Sequence, residues 1–150
     1  MNRPLKDILN ELQRTTRSSP QYIEAMLSAL KQAIPFDASC CTAVDPKTLL
    51  SIGAVTDDQI EAIHPQLFEL EYTQEDVNRF EALIQTRQTA AILSESVKGD
   101  FRQSKRYSNI LGPAGYEDEL RAVLLSKGEC RGYLTLLRKR GQPLFTEKDK

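Results

Sequence analysis

Apolar residues recur along this chain with two periods, and the elements change where the period changes. The most apolar stretch is Tyr116 to Lys139, YEDELRAVLLSKGECRGYLTLLRK. Leu120 to Leu125 is apolar on both faces apart from Arg121. A strand gives its residues alternately to its two faces, so this pattern predicts a central strand covered on both sides. Cys130 to Leu137 follows, with Tyr133, Thr135 and Leu137 on one face and Leu134 and Leu136 on the other. Gly128, inside Lys127-Gly128-Glu129, supplies the positive φ of a tight turn and predicts direct antiparallel pairing of the two strands. The rest of the chain must then supply further strands or the helices that cover this hairpin.

Helical spacing dominates the first third. Leu5, Ile8, Leu9 and Leu12 form one stripe with polar residues opposite, ended by the TTRSS run. Ser19-Pro20 is an N-cap followed by proline at the first helical position, and Ile23, Met26, Leu27, Leu30 and Ile34 continue a second stripe to Pro35. A short terminal helix gains little stability alone, so residues 1–17 are expected to pack on this domain or to serve as a dimerisation helix. Ala38 to Asp45 and Leu49 to Thr56 read as strands joined by Asp45-Pro46-Lys47 turn chemistry. A helix capped at Thr56-Asp57-Asp58 is expected through about Glu71, with Pro65 imposing a kink or a division into two short helices. Another is expected to open at Thr73, with Asp76 in its first turn and Val77, Phe80, Leu83 and Ile84 on its buried face. Thr89 to Leu93 is a short strand, and Ser94 to Leu111 a polar connection with a short helix around Tyr107, Ile110 and Leu111. Gly112-Pro113-Ala114-Gly115 ends that connection. Phe145 to Asp149 carries the signature of a helix start, a hydrophobic residue, an N-cap and an acidic first turn, which the chain end cuts off. Antiparallel hairpins at both ends with helices between them imply an α+β domain.

Composition adds exclusions. The 150 residues suit one domain, spanning 18–150 in this reading. A formal net charge of −1 argues against gripping nucleic acid or an anionic membrane by bulk electrostatics. No signal-peptide core and no bilayer-length apolar run is present, and the three cysteines, Cys40, Cys41 and Cys130, form no disulfide framework. The expected location is the cytoplasm.

Several segments taken together resemble the GAF domain, in particular the GAF-like sensor N-terminal to the helix-turn-helix of LuxR-type bacterial transcription regulators. The segments are FDASCCTAVDPKTLL (Phe36 to Leu50), EYTQEDVNRF (Glu71 to Phe80) and YEDELRAVL (Tyr116 to Leu124), extended by Arg131 to Asp149. The resemblance implies a profilin- or PAS-like antiparallel sheet of five or six strands with helices on both faces and a small-molecule pocket under short helices. It also implies a homodimer and a DNA-binding domain following this one, absent from this chain. At Cys41 many relatives carry a bulky aromatic, which would enlarge or reshape the pocket here.

The chemistry is sparse. His64 is the lone histidine and precedes Pro65, so no histidine dyad or multi-histidine metal site exists; it reads as a helix-face residue. Cys40 and Cys41 are adjacent and point to opposite strand faces, as small core residues or as a thiol directed at the pocket. No phosphate loop of the G-x-x-x-x-G-K-[ST] type and no G-x-S-x-G elbow occurs. Glu117-Asp118-Glu119 reads as a solvated turn or a salt-bridge partner of Arg121 or Lys127. Arg121 interrupts a buried strand, so it must either pair with an acid between Glu71 and Asp76 or anchor an anionic ligand. The pocket candidates are Cys41, Tyr72, Phe80, Arg121, Tyr133 and Thr135, and the dimer candidates Leu5, Ile8, Leu9 and Leu12. No cofactor, metal or catalytic residue is expected. The functional expectation is a non-catalytic sensory and dimerisation domain that binds a small-molecule effector. The alternatives are a ligand-free dimerisation module and a cysteine-dependent reductase of free methionine sulfoxide.

Overall fold

The structure is a computed structural model and describes residues 19–45, 47–48, 51–56, 58–73, 76–126 and 128–146. The candidate dimer stripe Leu5, Ile8, Leu9 and Leu12, and the helix expected after Thr146, lie outside the described residues. The chain divides into two compact units, Met1–Phe36 and Asp37–Lys150.

In the first unit, α1 spans Ser19–Ala33. Its bounds follow the Ser19-Pro20 start and the Pro35 stop, and Leu30 is its most buried described residue. Lys31 closes the last turn, where a cation meets the negative end of the helix dipole, and its Nζ lies 5.6 Å from the Phe36 ring centroid.

The second unit is an α+β domain. Five strands, β1 (Ala38–Val44), β2 (Ser51–Thr56), β3 (Ala90–Ile92), β4 (Tyr116–Ser126) and β5 (Glu129–Lys139), form an antiparallel sheet in the order β2-β1-β5-β4-β3. The hairpin of β4 and β5 is its centre, with Gly128 at φ 79° where a side chain would be strained. Close packing of β5 on its neighbours requires Gly132, whose added Cβ would stand 3.2 Å from both Leu124 Cδ1 and Thr42 O.

Register decides which residues share a face. Cys40 pairs with Thr135, Thr42 with Tyr133, Arg121 with Thr135 and Val123 with Tyr133. Cys40, Thr42, Tyr133, Thr135, Leu137, Glu119 and Arg121 therefore stand on one face. Cys41, Leu120, Leu134 and Leu136 stand on the other and are buried as well.

The first face is covered by α2 (Asp58–Glu61), α3 (His64–Thr73) and α4 (Phe80–Gln85). The Pro65 division falls as two short helices: α2 ends, and α3 begins again with Pro65 in its first turn, where proline's missing N–H costs nothing. The helix expected to open at Thr73 does not. Thr73 closes α3, its hydroxyl donating to Glu69 O, and the next helix starts at Phe80. Asn78 is the reason: it adopts the left-handed φ of 57°, which no helix interior allows. Asp76 then serves the loop, accepting from its neighbour Val77 N and from Lys105 N and Arg106 N far along the chain. After β3 come α5 (Leu93–Ser96), a 3₁₀ turn (Phe101–Gln103) and a π turn (Tyr107–Leu111) that brings Ile110 and Leu111 inside. Among the described residues no helix is long and apolar enough to cross a membrane.

Candidate functional site

Between α2, α3 and the first sheet face lies a cavity of about 60 Å³. One wall is apolar, from Ile60, Leu67 and Leu137, while the floor is Cys40, Thr42 and Thr135. Along α3, residues four apart share one face, and His64, Phe68 and Tyr72 form a ladder of tilted rings with centroids 6.4 and 4.8 Å apart. Phe68 is 42% exposed, so this edge of the cavity meets solvent. A second hollow of about 130 Å³ shares Glu71, Tyr72, Phe80 and Tyr133 with the first.

The polar end is a chain of buried charges. Arg121 is 4% exposed and its Nη1 donates to Glu71 Oε1 at 2.6 Å and to Asn78 O at 3.1 Å. Its Nε lies 3.1 Å from Glu119 Oε1, an ion-pair distance, but the N–H does not point at that oxygen and makes no hydrogen bond among the described residues. Glu119, 1% exposed, also takes a two-pronged grip from Arg106, through Nη2 at 2.6 Å and Nε at 3.0 and 3.1 Å. Arg106 continues to Asp76 Oδ2 at 3.3 Å and to Val77 O at 3.0 Å. At the other end, Glu71 Oε2 accepts from Phe80 N at 3.3 Å and lies 4.0 Å from Arg79 Nε. The Phe80 ring ties the charges to the aromatic floor. It stacks on Tyr133 at 4.2 Å with 1° between planes, and Arg121 Cζ stands 4.3 Å from its centroid.

Burial acts against the charged form of both partners, and their mutual attraction outweighs it. Burial raises the Glu119 pKa, but Arg106 and Arg121 bring it below its ordinary 4.5. Burial likewise lowers the Arg121 pKa, yet Glu119 and Glu71 raise it above the ordinary guanidinium value. Burial, then Cys130, Tyr72, Glu71 and Glu81, push the Tyr133 phenol up. Glu119 and Arg121 therefore both stay charged at neutral pH.

Five of the six pocket candidates line this cavity: Tyr72, Phe80, Arg121, Tyr133 and Thr135. Cys41 does not. It stands on the opposite sheet face, 1% exposed, and Cys40 takes the place at the cavity floor, so a residue change at Cys41 does not reshape this space. Of the two roles open to Arg121, pairing with an acid between Glu71 and Asp76 is the one observed. The acidic run is not a solvated turn: Asp118 and Glu119 are each 1% exposed, with Glu119 paired to Arg121 and Arg106. His64, Leu67, Ile60, Glu71 and Glu119 join the lining beyond the expected set. Strand parity carried a signal for Glu119, two residues before Arg121 on the same face; nothing local pointed to Arg106.

Cys40 is the thiol at the cavity floor, its Sγ 3.7 Å from Thr42 Oγ1, and the other two lie away from it. All three cysteines are buried, burial and then Cys40 push the Cys41 thiol up to about 12, and burial raises Cys130. Among the described residues no three histidine, cysteine or acidic side chains gather where they could hold a metal ion.

A five-stranded antiparallel sheet with short helices over a cavity on one face is the GAF fold, and solved structures agree. The VqsR LBD domain from Pseudomonas aeruginosa is similar with a TM-score of 0.58 and 17% identity, over 96% of this chain and 84% of that one. The GAF domain/HD domain protein from Geobacter sulfurreducens gives 0.57 and 11%, over 98% and 86%. The GAF domain of a two-component sensor histidine kinase from Bacillus halodurans gives 0.56 and 16%, over 89% and 84%. No protein-family model matches the chain, and no curated protein sequence matches it.

Proposed function

We propose that this chain is a non-catalytic GAF-fold sensory domain that binds a small-molecule effector in the cavity between α2, α3 and the sheet. The observation that carries this reading is the lining itself: an apolar and aromatic wall with one buried, fully charged arginine at its end. An apolar space with a few placed polar groups is what small-molecule sites look like. The burial and raised pKa values of Cys41 and Cys130 speak against either of those two serving a reductase as its thiolate. Likeness in fold to the VqsR LBD domain, together with the sequence resemblance, supports a place in a LuxR-type bacterial transcription regulator. In that setting the domain works in the cytoplasm as a homodimer, and DNA is reached only through a separate domain.

The size of the cavity supports a second reading. At about 60 Å³ it is well below the roughly 300 to 1,000 Å³ of drug-sized sites, which suits a domain that dimerises and binds nothing. Native mass spectrometry of freshly purified protein separates the two. A small molecule retained under gentle ionisation, and lost on acid denaturation, supports the sensor; a bare dimer mass across preparations rejects it.

A further inference from the structure

We infer that the effector is a small uncharged molecule, predominantly apolar, with a hydrogen-bond acceptor for Arg121, and that ions of the same shape are rejected. The inference rests on the cavity reading above and deepens it. The charged groups lining the cavity are Glu71, Glu119 and Arg121, and behind them Glu119 also pairs with Arg106 while Glu71 lies 4.0 Å from Arg79, which Glu81 meets at 3.7 Å. Each of the three charges lining the cavity already has a partner of opposite sign. An anionic ligand reaching Arg121 would have to displace Glu71 or crowd Glu119, leaving a carboxylate buried without its cation. A cationic ligand would compete with Arg121 for the same two acids and leave the guanidinium stranded. Breaking a buried pair from one side is the costly case, because the abandoned charge keeps its desolvation penalty.

Hydrogen bonding is less complete than charge. No hydrogen bond among the described residues uses Arg121 Nη2, whereas Nε is buried 3.1 Å from Glu119 Oε1 and closed to a ligand. The guanidinium is thus electrostatically satisfied but retains donors, which suits a neutral carbonyl, amide or hydroxyl oxygen. The remaining walls, Ile60, Leu67, Phe68 and Leu137, offer dispersion contacts to an apolar body. With about 10 to 15 Å³ needed per water, 60 Å³ corresponds to roughly four to six non-hydrogen atoms. A larger ligand would extend toward Tyr72 and Phe80, which border both hollows.

Two matched series test this on the wild-type protein at pH 8. The first is isobutyramide, isobutyrate and isobutylammonium; the second is benzamide, benzoate and benzylammonium. Binding is read from methyl shifts of Ile60, Thr42, Leu67 and Thr135 in a ¹H–¹³C spectrum, and native mass spectrometry identifies any molecule carried through purification. The amide of at least one series should bind at least about tenfold more tightly than either ion of its shape, with shifts confined to these methyls. Leu67→Phe, which fills the cavity, should abolish the shifts with the thermal melt retained. Equal or tighter binding of an ion at these methyls overturns the inference but leaves the sensory cavity standing. If no probe binds, the charge of the retained molecule decides: a neutral one supports the inference and an ion overturns it. If neither probe nor retained molecule is found, the cavity reading falls and takes the inference with it.

Discussion

Arg106 and Glu119 pair at 2.6 Å with 2% and 1% of their side chains exposed, while Arg140 and Glu117 pair at 3.9 Å with 66% and 31% exposed. The contrast decides what each arginine is worth. A buried pair cut from one side leaves an uncompensated charge and costs about 3 to 5 kcal/mol, whereas an exposed pair contributes about 0 to 1 kcal/mol. Arg106→Met should therefore lower the urea-unfolding free energy by about 3 to 5 kcal/mol, because it strips Glu119, Asp76 and the Val77 carbonyl of one shared donor. Arg140→Ala should change it by no more than about 1 kcal/mol. Equal effects from the two substitutions would mean the buried chain contributes nothing to stability. At the same scale, Cys41 differs from an ordinary thiol by 12 − 9.0, about three pK units. It should hold roughly a thousandfold less thiolate at neutral pH, and a thiol-reactive dye should modify it only as the protein unfolds. Rapid labelling of Cys41 in the native state would reopen the thiol reading.

Elements show which parts of this architecture were legible beforehand. The β4–β5 hairpin was, because alternation of Tyr133, Thr135 and Leu137 against Leu134 and Leu136 is local and Gly128 marks its turn. The end of α3 was not. Asp76 reads locally as a first-turn acid, but its partners include Lys105 and Arg106, some thirty residues away, and Asn78 beside it takes a left-handed φ of 57°. The cavity was half legible for the same reason: parity on β4 and β5 places Arg121, Tyr133 and Thr135 together, but choosing Cys40 over Cys41 needs the β1–β5 register. Asp118 is a further case of a role set at long range. Its carboxylate accepts from Ser94 N and Oγ at the start of α5, from Glu119 N, and from Phe145 N in the segment after β5. Arg138 closes the same segment, donating to Pro143 O and Leu144 O while its Cζ stands 4.1 Å from the Phe145 ring. Asp118→Asn removes the charge and sets an amide donor against N–H groups, so about 2 kcal/mol should be lost. Amide exchange at Phe145 and Ser94 should then accelerate ahead of exchange in the β4–β5 ladder; uniform acceleration would assign Asp118 to global stability alone.

For the molecule as a whole, these buried groups predict a stability curve bounded on both sides of neutral pH. On the acid side, the folded pKa of Glu119 lies below its ordinary 4.5. Its contribution is fully present above that ordinary value, where folded and unfolded chains are both ionised. It is lost as pH falls through the folded pKa, because the unfolded chain takes up its proton first. On the alkaline side the sign reverses. Cys41 is raised from 9.0 to about 12, so the unfolded chain loses its thiol proton first and the thiol's contribution is present below pH 9. Between 9.0 and 12 that contribution drains away, and three units at about 1.4 kcal/mol each make about 4 kcal/mol its upper bound. Urea midpoints should thus be level from about pH 5 to 8 and fall on either side. Cys41→Ala should make the alkaline limb shallower, Cys130 and Tyr133 keeping the rest of it, while leaving the acid limb in place. Glu119→Gln should lower the plateau, since it leaves Arg106 and Arg121 facing a neutral amide, and should make the acid limb shallower. A Cys41→Ala profile that falls above pH 9 as steeply as wild type would remove this thiol from the alkaline limb. An acid limb unchanged by Glu119→Gln would mean that the Glu71–Arg121–Glu119–Arg106 chain does not set the acid stability of the fold.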